Sequence, residues 1–294
     1  MSAISPSRRT SSAVVPDDGR IPAGLAEVVF IMGAARSGST LLGVLMGQAE
    51  GVFYAGELCD WTQRNGVSSV PRSRPFWEQV RSRTGPLPPE AGQYKRLFEH
   101  PAGLWRPWAR QRLRPGYERT TNEMLEAVTA ESGCPTVIDS SHYPRRARAL
   151  RRLLGRDRVR LVYLVRRPSS VVRSFRSTGD KSAVSANAYL LVVGLLTWLT
   201  YLTHPRSRRA IVSYERLTEA PLEVGAAALG RSLDGIDPSR LTLPPVLVGN
   251  RFVKVSDRVE VRLAERPPTP TAQDRITDLV QWPWRLAERR AGFQ

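Results

Sequence analysis

The stretch "VVFIMGAARSGST", residues 28–40, constrains the fold more than any other. Val28 to Met32 is a short continuous apolar run, β-branched at its start, which reads as a buried parallel strand. The sequence "LLGVLMGQ", residues 41–48, reads as a helix that opens directly from the intervening glycine loop. A loop between strand and helix presents successive backbone N–H groups at the positive helix end, a ready site for an anion. Gly33 and Gly38 allow the tight path, and the hydroxyls of Ser37, Ser39 and Thr40 add donors. In the nucleotide-hydrolysing version of this frame a lysine follows the second glycine. Here Ser39 holds that place, and the nearest cation is Arg36, inside the loop. The missing lysine argues against an NTPase that depends on magnesium. Arginine offers a permanent charge and a planar fork of donors, suited to a departing phosphate. The loop therefore points to group transfer without an obligatory metal.

The rest of the chain repeats the alternation. "TVI", 136–138, predicts a second buried strand, whose end releases Asp139, Ser140, Ser141 and His142 into a loop. "PRRARALRRLL", 144–154, reads as a helix with proline at its first position. "VRLVYLV", 159–165, is the clearest strand and runs into "RRPSS", which opens another helix. "RAIVSYERL" predicts a strand ending near Tyr214, followed by a helix over 220–232. Strands alternating with helices predict an α/β fold with a doubly wound parallel sheet flanked by helices. In such sheets ligands bind at the carboxyl ends of the strands, and every polar cluster above falls at such an end.

Residues 60–130 interrupt the alternation with prolines, scattered charges and Trp61, Trp77, Trp105 and Trp108. They read as an irregular, partly helical insertion over the site. Residues 1–26, rich in Ser, Pro and Arg, read as a mobile basic tail, and 261–294 as a proline-rich linker with a terminal helix. The stretch 182–205 has no Lys, Arg, Asp or Glu, and is near the length of a membrane span. Its interior Asn187, Gly194, Ser and Thr instead favour a buried core helix and no transmembrane span, with a surface that contacts lipid substrates as a third reading.

The net charge of +17 calls for an anionic partner: nucleic acid, anionic lipid or a polyphosphorylated ligand. The two cysteines, Cys59 and Cys134, form neither a metal motif nor a disulfide framework, which fits a cytoplasmic protein.

With these motifs in hand, the chain resembles the sulfotransferase family, whose donor is 3′-phosphoadenylyl sulfate. "RSGSTLL" is similar to the family's 5′-phosphosulfate loop, in the arginine version seen in protein-tyrosine and many bacterial sulfotransferases; cytosolic members carry lysine there. "YLVRRPSSVVRSF", 163–175, resembles the signature that binds the 3′-phosphate, which places that role on Arg166 and Ser174. "IVSYERL" resembles a segment that sets Tyr214 near the nucleotide, and "VGNRF" a late loop that brings Gly249, Asn250 and Arg251 to the 3′-phosphate side. The resemblance covers about residues 27–260. It implies a small-molecule, carbohydrate or peptide acceptor, a hydroxyl or amine nucleophile, no metal and no nucleic-acid partner.

Transfer to a hydroxyl needs a base for the incoming oxygen. Glu57 in "YAGEL" lies 21 residues after Arg36, the interval of the base in protein-tyrosine sulfotransferases. His142 in "DSSHYP" has an ordinary pKa suited to a base near neutrality, and cytosolic sulfotransferases place a histidine base at the same strand end. Many bacterial relatives have lysine at that position. Glu57 is favoured as base with His142 as a sulfate contact; His142 as base stays open. Two rival readings remain at this stage. One is a divergent kinase using ATP and Mg²⁺, for which Asp139 is the obvious metal carboxylate. The other is a nucleic-acid- or membrane-binding protein, drawn from the arginine-rich run 145–176.

Overall fold

The structure, a computed structural model, describes residues 22–100, 103, 106–249, 258–259 and 270–282. Its centre is a five-stranded parallel sheet: β1 (Glu27–Gly33), β2 (Val52–Gly56), β3 (Thr136–His142), β4 (Val159–Val165) and β5 (Arg209–Ser213). The strand order is β2-β3-β1-β4-β5, so the chain winds outward from β1 in both directions. Alternate residues of β1 feed two separate cores, as a strand buried on both faces requires. Val28, Phe30 and Met32 enter one; Val29 and Ile31 enter the other.

The second core is closed by α1 (Ser39–Met46) and α8 (Pro221–Leu229), with α7 (Tyr214–Glu219) leading into α8. The first is closed by α2 (Arg74–Arg83), α3 (Pro107–Ser132), α4 (Pro144–Leu153) and the inner side of α6 (Ala183–Leu202). α5 (Pro168–Ser177) joins β4 to α6, and α9 (Ala272–Val280) packs on α5. A two-residue ribbon, β6 (Leu241–Thr242) with β7 (Arg258–Val259), lies apart from the main sheet.

The α/β doubly wound reading holds, and the strand 159–165 has the predicted bounds. Four local expectations change. β2, "VFYAG", has no counterpart among the predicted strands; its five residues show no periodic signal, and Glu57 directly follows it. Asp139 to His142 continue β3 and are not a loop. Parallel pairing to β1 runs on through a bulge to Met32↔His142, which satisfies the backbone there. The insertion is mostly helical, and α3 alone spans 26 residues. Trp61 and Trp77 lie in the core, with ring centroids 6.0 Å apart and Trp77 Nε1 donating to the Pro245 carbonyl at 2.8 Å. Trp108 is exposed, and Trp105 lies outside the described residues.

The fourth change is α6, which is not a core helix. Ala186, Leu190, Val193, Thr197 and Thr200 are buried, whereas Val184, Leu191, Val192, Leu195, Leu199 and Leu202 face outward.

The carboxyl edge of the sheet is held by one buried charge network. The Asp139 carboxylate accepts from Arg146 Nε at 2.6 Å, from the Ser141 amide at 2.9 Å and from the Ser141 hydroxyl. The Leu58 amide approaches the same oxygen at 3.4 Å. Arg146 also donates to Glu99, which accepts in addition from the Tyr117 hydroxyl at 3.1 Å. Two carboxylates share one guanidinium with almost no solvent, so removing the cation strands both charges. Arg146→Met is expected to cost about 3–5 kcal/mol in urea unfolding; wild-type stability would contradict this role for the network.

Candidate active site

Each strand end of the main sheet delivers one of the residue clusters singled out from the sequence. β1 ends at Gly33 (φ 147°), where a Cβ would lie 2.4 Å from the Leu164 carbonyl oxygen, so only glycine lets β1 and β4 pair up to the loop. Gly38 precedes α1 at φ 96°, and a Cβ there would strike the Tyr214 ring at 2.3 Å. No side chain caps α1. Its first-turn N–H groups, including those of Ser39 and Thr40, have no acceptor within the helix and are free for an anion. Ser37 is buried, and its amide bonds the Ala34 carbonyl at 3.3 Å.

Arg36 sits at φ 71°, one of three non-glycine residues with positive φ among the described ones; His142 (φ 53°) is another. Both are residues to which the sequence assigned chemistry, and such strain gathers at functional sites. The Arg36 side chain pairs with Asp180 beyond α5, and its carbonyl accepts from Arg166 Nη1 at 2.7 Å. Arg166 leaves the end of β4 and lies over the Tyr214 ring, 4.2 Å from the centroid. Arg36, Arg166 and Tyr214 therefore form one continuous contact around the loop. Ser174 lies in the second turn of α5 and is half-buried.

Behind the loop is a cavity of about 40 Å³ lined by Gly33, Ser37, Arg166, Thr197 and Gln281, among others. Arg166 Nε, Thr197 Oγ1 and Gln281 Oε1 are buried without a hydrogen-bond partner. Nothing in the sequence marked Thr197 or Gln281, which reach the loop only through the packing of α6 and α9.

On the other side of the loop stands Glu57, directly after β2. Its amide donates to the Val248 carbonyl at 3.2 Å, and the Cys59 amide donates to Ser141 Oγ at 2.9 Å. Burial pushes the Glu57 carboxyl up to about 7; Asp60 and Asp139 add to the rise, and Lys95 and Arg36 oppose it. Arg36 is thus close enough for its charge to act on Glu57. Tyr189 of α6 is close as well: its hydroxyl accepts from the Ala35 amide at 3.0 Å, and the Glu57 charge contributes to the upward shift of its phenol, which burial dominates.

His142 ends β3 beside these groups, its ring 4.5 Å from that of Tyr143. Burial, followed by the charge of Lys95, lowers its pKa to about 4. The neutral-range titration expected of His142 is therefore corrected: at pH 7 the ring is uncharged and weakly basic. Lys95 itself was not legible in the sequence; it comes from the helical insertion, pairs with Asp60 and lies 5.7 Å from the centre of the Tyr143 ring. Burial works against its charge, yet its pKa is raised. Cys59 is pushed well up by burial and is uncharged at neutral pH, so the Asp60 carboxylate is the partner that holds the Lys95 charge.

Asp139 is engaged by Arg146 and Ser141, so it fixes the strand end and is not offered to a metal. Among the described residues no group of His, Cys, Asp and Glu has metal-binding geometry. Gly249 follows Val248 at the β2 edge, next to Glu57, while Asn250 and Arg251 lie outside the described residues.

A family model described as the sulfotransferase family matches residues 28–228. No curated protein sequence matches the chain. Among solved structures the fold is similar to the sulfotransferase domain of the Synechococcus PCC 7002 olefin synthase, at TM-score 0.54 and 19% identity, covering 89% of this chain and 95% of that one. It is also similar to the sulfotransferase domain from the curacin biosynthetic pathway, at TM-score 0.52 and 16% identity, covering 87% and 97%.

A ¹³C-detected titration is expected to find Glu57 half-protonated at about pH 7 and the His142 ring neutral down to about pH 4. Glu57 titrating in the ordinary carboxylate range would contradict the burial assigned to it.

Proposed function

The chain belongs to the sulfotransferase family, and on that premise we propose that it moves a sulfuryl group from 3′-phosphoadenylyl sulfate to a hydroxyl or amine acceptor. One observation carries this reading: a lysine-free phosphate loop, a second arginine against its back and a carboxylate with a pKa of about 7 converge on one sheet edge.

The residues fit such a donor. The uncapped first turn of α1 offers N–H groups to a 5′-phosphate, and Arg36 adds charge at the loop mouth. The unpartnered Nε of Arg166 suits the 3′-phosphate, with half-buried Ser174 on the following helix α5 as the second contact that the family signature implies. When bound, the donor supplies the sulfuryl group on its phosphate leaving group. Glu57, ionised in about half the molecules at neutral pH, takes the proton of the acceptor. The acceptor oxygen or nitrogen bonds to sulfur as the sulfur–oxygen bond to the phosphate breaks in line. Negative charge grows on the departing phosphate oxygen, which the loop N–H groups stabilise together with Arg36 once its guanidinium exchanges Asp180 for the donor. His142, neutral at pH 7, has a single ring N–H to donate to a sulfate oxygen and carries no charge there.

The two arginines then separate by role. Arg36→Ala is expected to lower kcat by roughly 10²- to 10³-fold, as for loss of one donor to a developing oxyanion. It should leave affinity for 3′-phosphoadenosine 5′-phosphate, measured by calorimetry, within a few-fold. Arg166→Ala should mainly weaken that affinity. Full turnover in Arg36→Ala would refute the mechanism.

A further inference from the structure

The structure leaves a long apolar surface that sulfuryl transfer does not use. Between Lys181 and Arg206 the chain carries no Lys, Arg, Asp or Glu. In α6 the outward residues Val184, Leu191, Leu195, Leu199 and Leu202 follow each other at helical spacing, with Val192 beside them. From Val184 to Leu202 they run about 27 Å along the helix. The neighbouring α9 adds exposed Ile276, Leu279 and Val280, and Trp282 follows just beyond it. It is tied to α6 through Asn187, which donates to Thr277 at 3.3 Å and accepts from Gln281 at 3.0 Å. An exposed apolar stripe of this length along one helix marks an interaction site.

The ends of the stripe are cationic. Lys181 stands at the start of α6, over the Phe175 and Tyr189 rings. At the far end Arg151 donates to the Thr200 and Thr203 carbonyls, and Arg209 to those of Tyr201 and Leu202. An apolar face bounded by cations matches the boundary between acyl chains and anionic headgroups. A twofold contact between copies would lay antiparallel stripes together and set the Lys181 end of one against the Arg151 and Arg209 end of the other. Like charges would meet, in a chain of net charge +17. Spanning the bilayer is excluded by the inner side of α6, whose Trp198 and Tyr201 pack into the core and whose Tyr189 bonds the phosphate loop.

We infer that the outer face of α6, with the adjoining apolar residues of α9, is a peripheral docking surface for an anionic lipid bilayer. α6 lies flat on the membrane, and the side of the phosphate loop that Tyr189 touches faces it. The inference stands apart from the donor chemistry, because it rests on the outer side of α6, whereas Tyr189 reaches the loop from the inner side.

Co-sedimentation of the full chain with phosphatidylcholine vesicles, and with phosphatidylcholine–phosphatidylglycerol vesicles, tests it. Binding is expected only with phosphatidylglycerol, and Leu195→Glu with Leu199→Glu should lower it by at least about tenfold. The same variant should keep the wild-type melting temperature and its affinity for 3′-phosphoadenosine 5′-phosphate, so that loss of docking is not mistaken for loss of the fold or of the donor site. Wild-type protein left in the supernatant, or equal binding by the double variant, would overturn the inference. A wild-type dimer in light scattering that the double variant makes monomeric would also overturn it, in favour of a second copy.

Discussion

The site depends on the Asp139 carboxylate. It is fully buried, yet its partners come from three elements: Arg146 on α4, Ser141 on β3 itself and Leu58 just after β2. Ser141 in turn accepts from Cys59, so the turn that carries Glu57 is fastened to β3 by two backbone contacts. Burying such a charge is costly unless it is paired and hydrogen-bonded, and here it is both. The result is a rigid frame in which Glu57 and His142 hold their places relative to the loop after β1. A carboxylate at this strand end could have been a metal ligand; its partners make it a scaffold.

Electrostatics then divides the labour between two candidate bases that the sequence left open. Both are partly withdrawn from water, and burial shifts them in opposite senses, because the charged form of one is an anion and of the other a cation. Glu57 rises toward neutrality and His142 falls well below it. Lys95, held charged by Asp60, lowers both. A base works best when its pKa lies near the working pH, which favours Glu57. Arg36, whose charge also lowers Glu57, links the loop mouth to this carboxylate electrostatically.

Much of this was legible in the sequence. The strand–loop–helix at 28–46 and the strand 159–165 carry their own hydrophobic periods, and glycine marks the backbone strain of the loop. The clusters at Arg36, His142, Arg166 and Tyr214 lie at or just after predicted strand ends, and the family resemblance added the roles of Arg166 and Tyr214. What escaped depends on tertiary packing. β2 is too short to show a period, and Lys95, Tyr189, Thr197 and Gln281 reach the site from elements distant in sequence. The apolar run 182–205 misled because composition reports total hydrophobicity, while only the fold decides which side of a helix finds a partner.

The central claim is that this edge is built for a 3′-phosphorylated adenylyl donor and not for a magnesium nucleotide. Thermal unfolding with 3′-phosphoadenosine 5′-phosphate, set beside ATP with Mg²⁺, tests it most directly, because a ligand that binds only the native state raises the melting temperature. The account predicts a clear rise with 3′-phosphoadenosine 5′-phosphate alone. A rise with ATP and Mg²⁺, and none with the 3′-phosphorylated nucleotide, would contradict it.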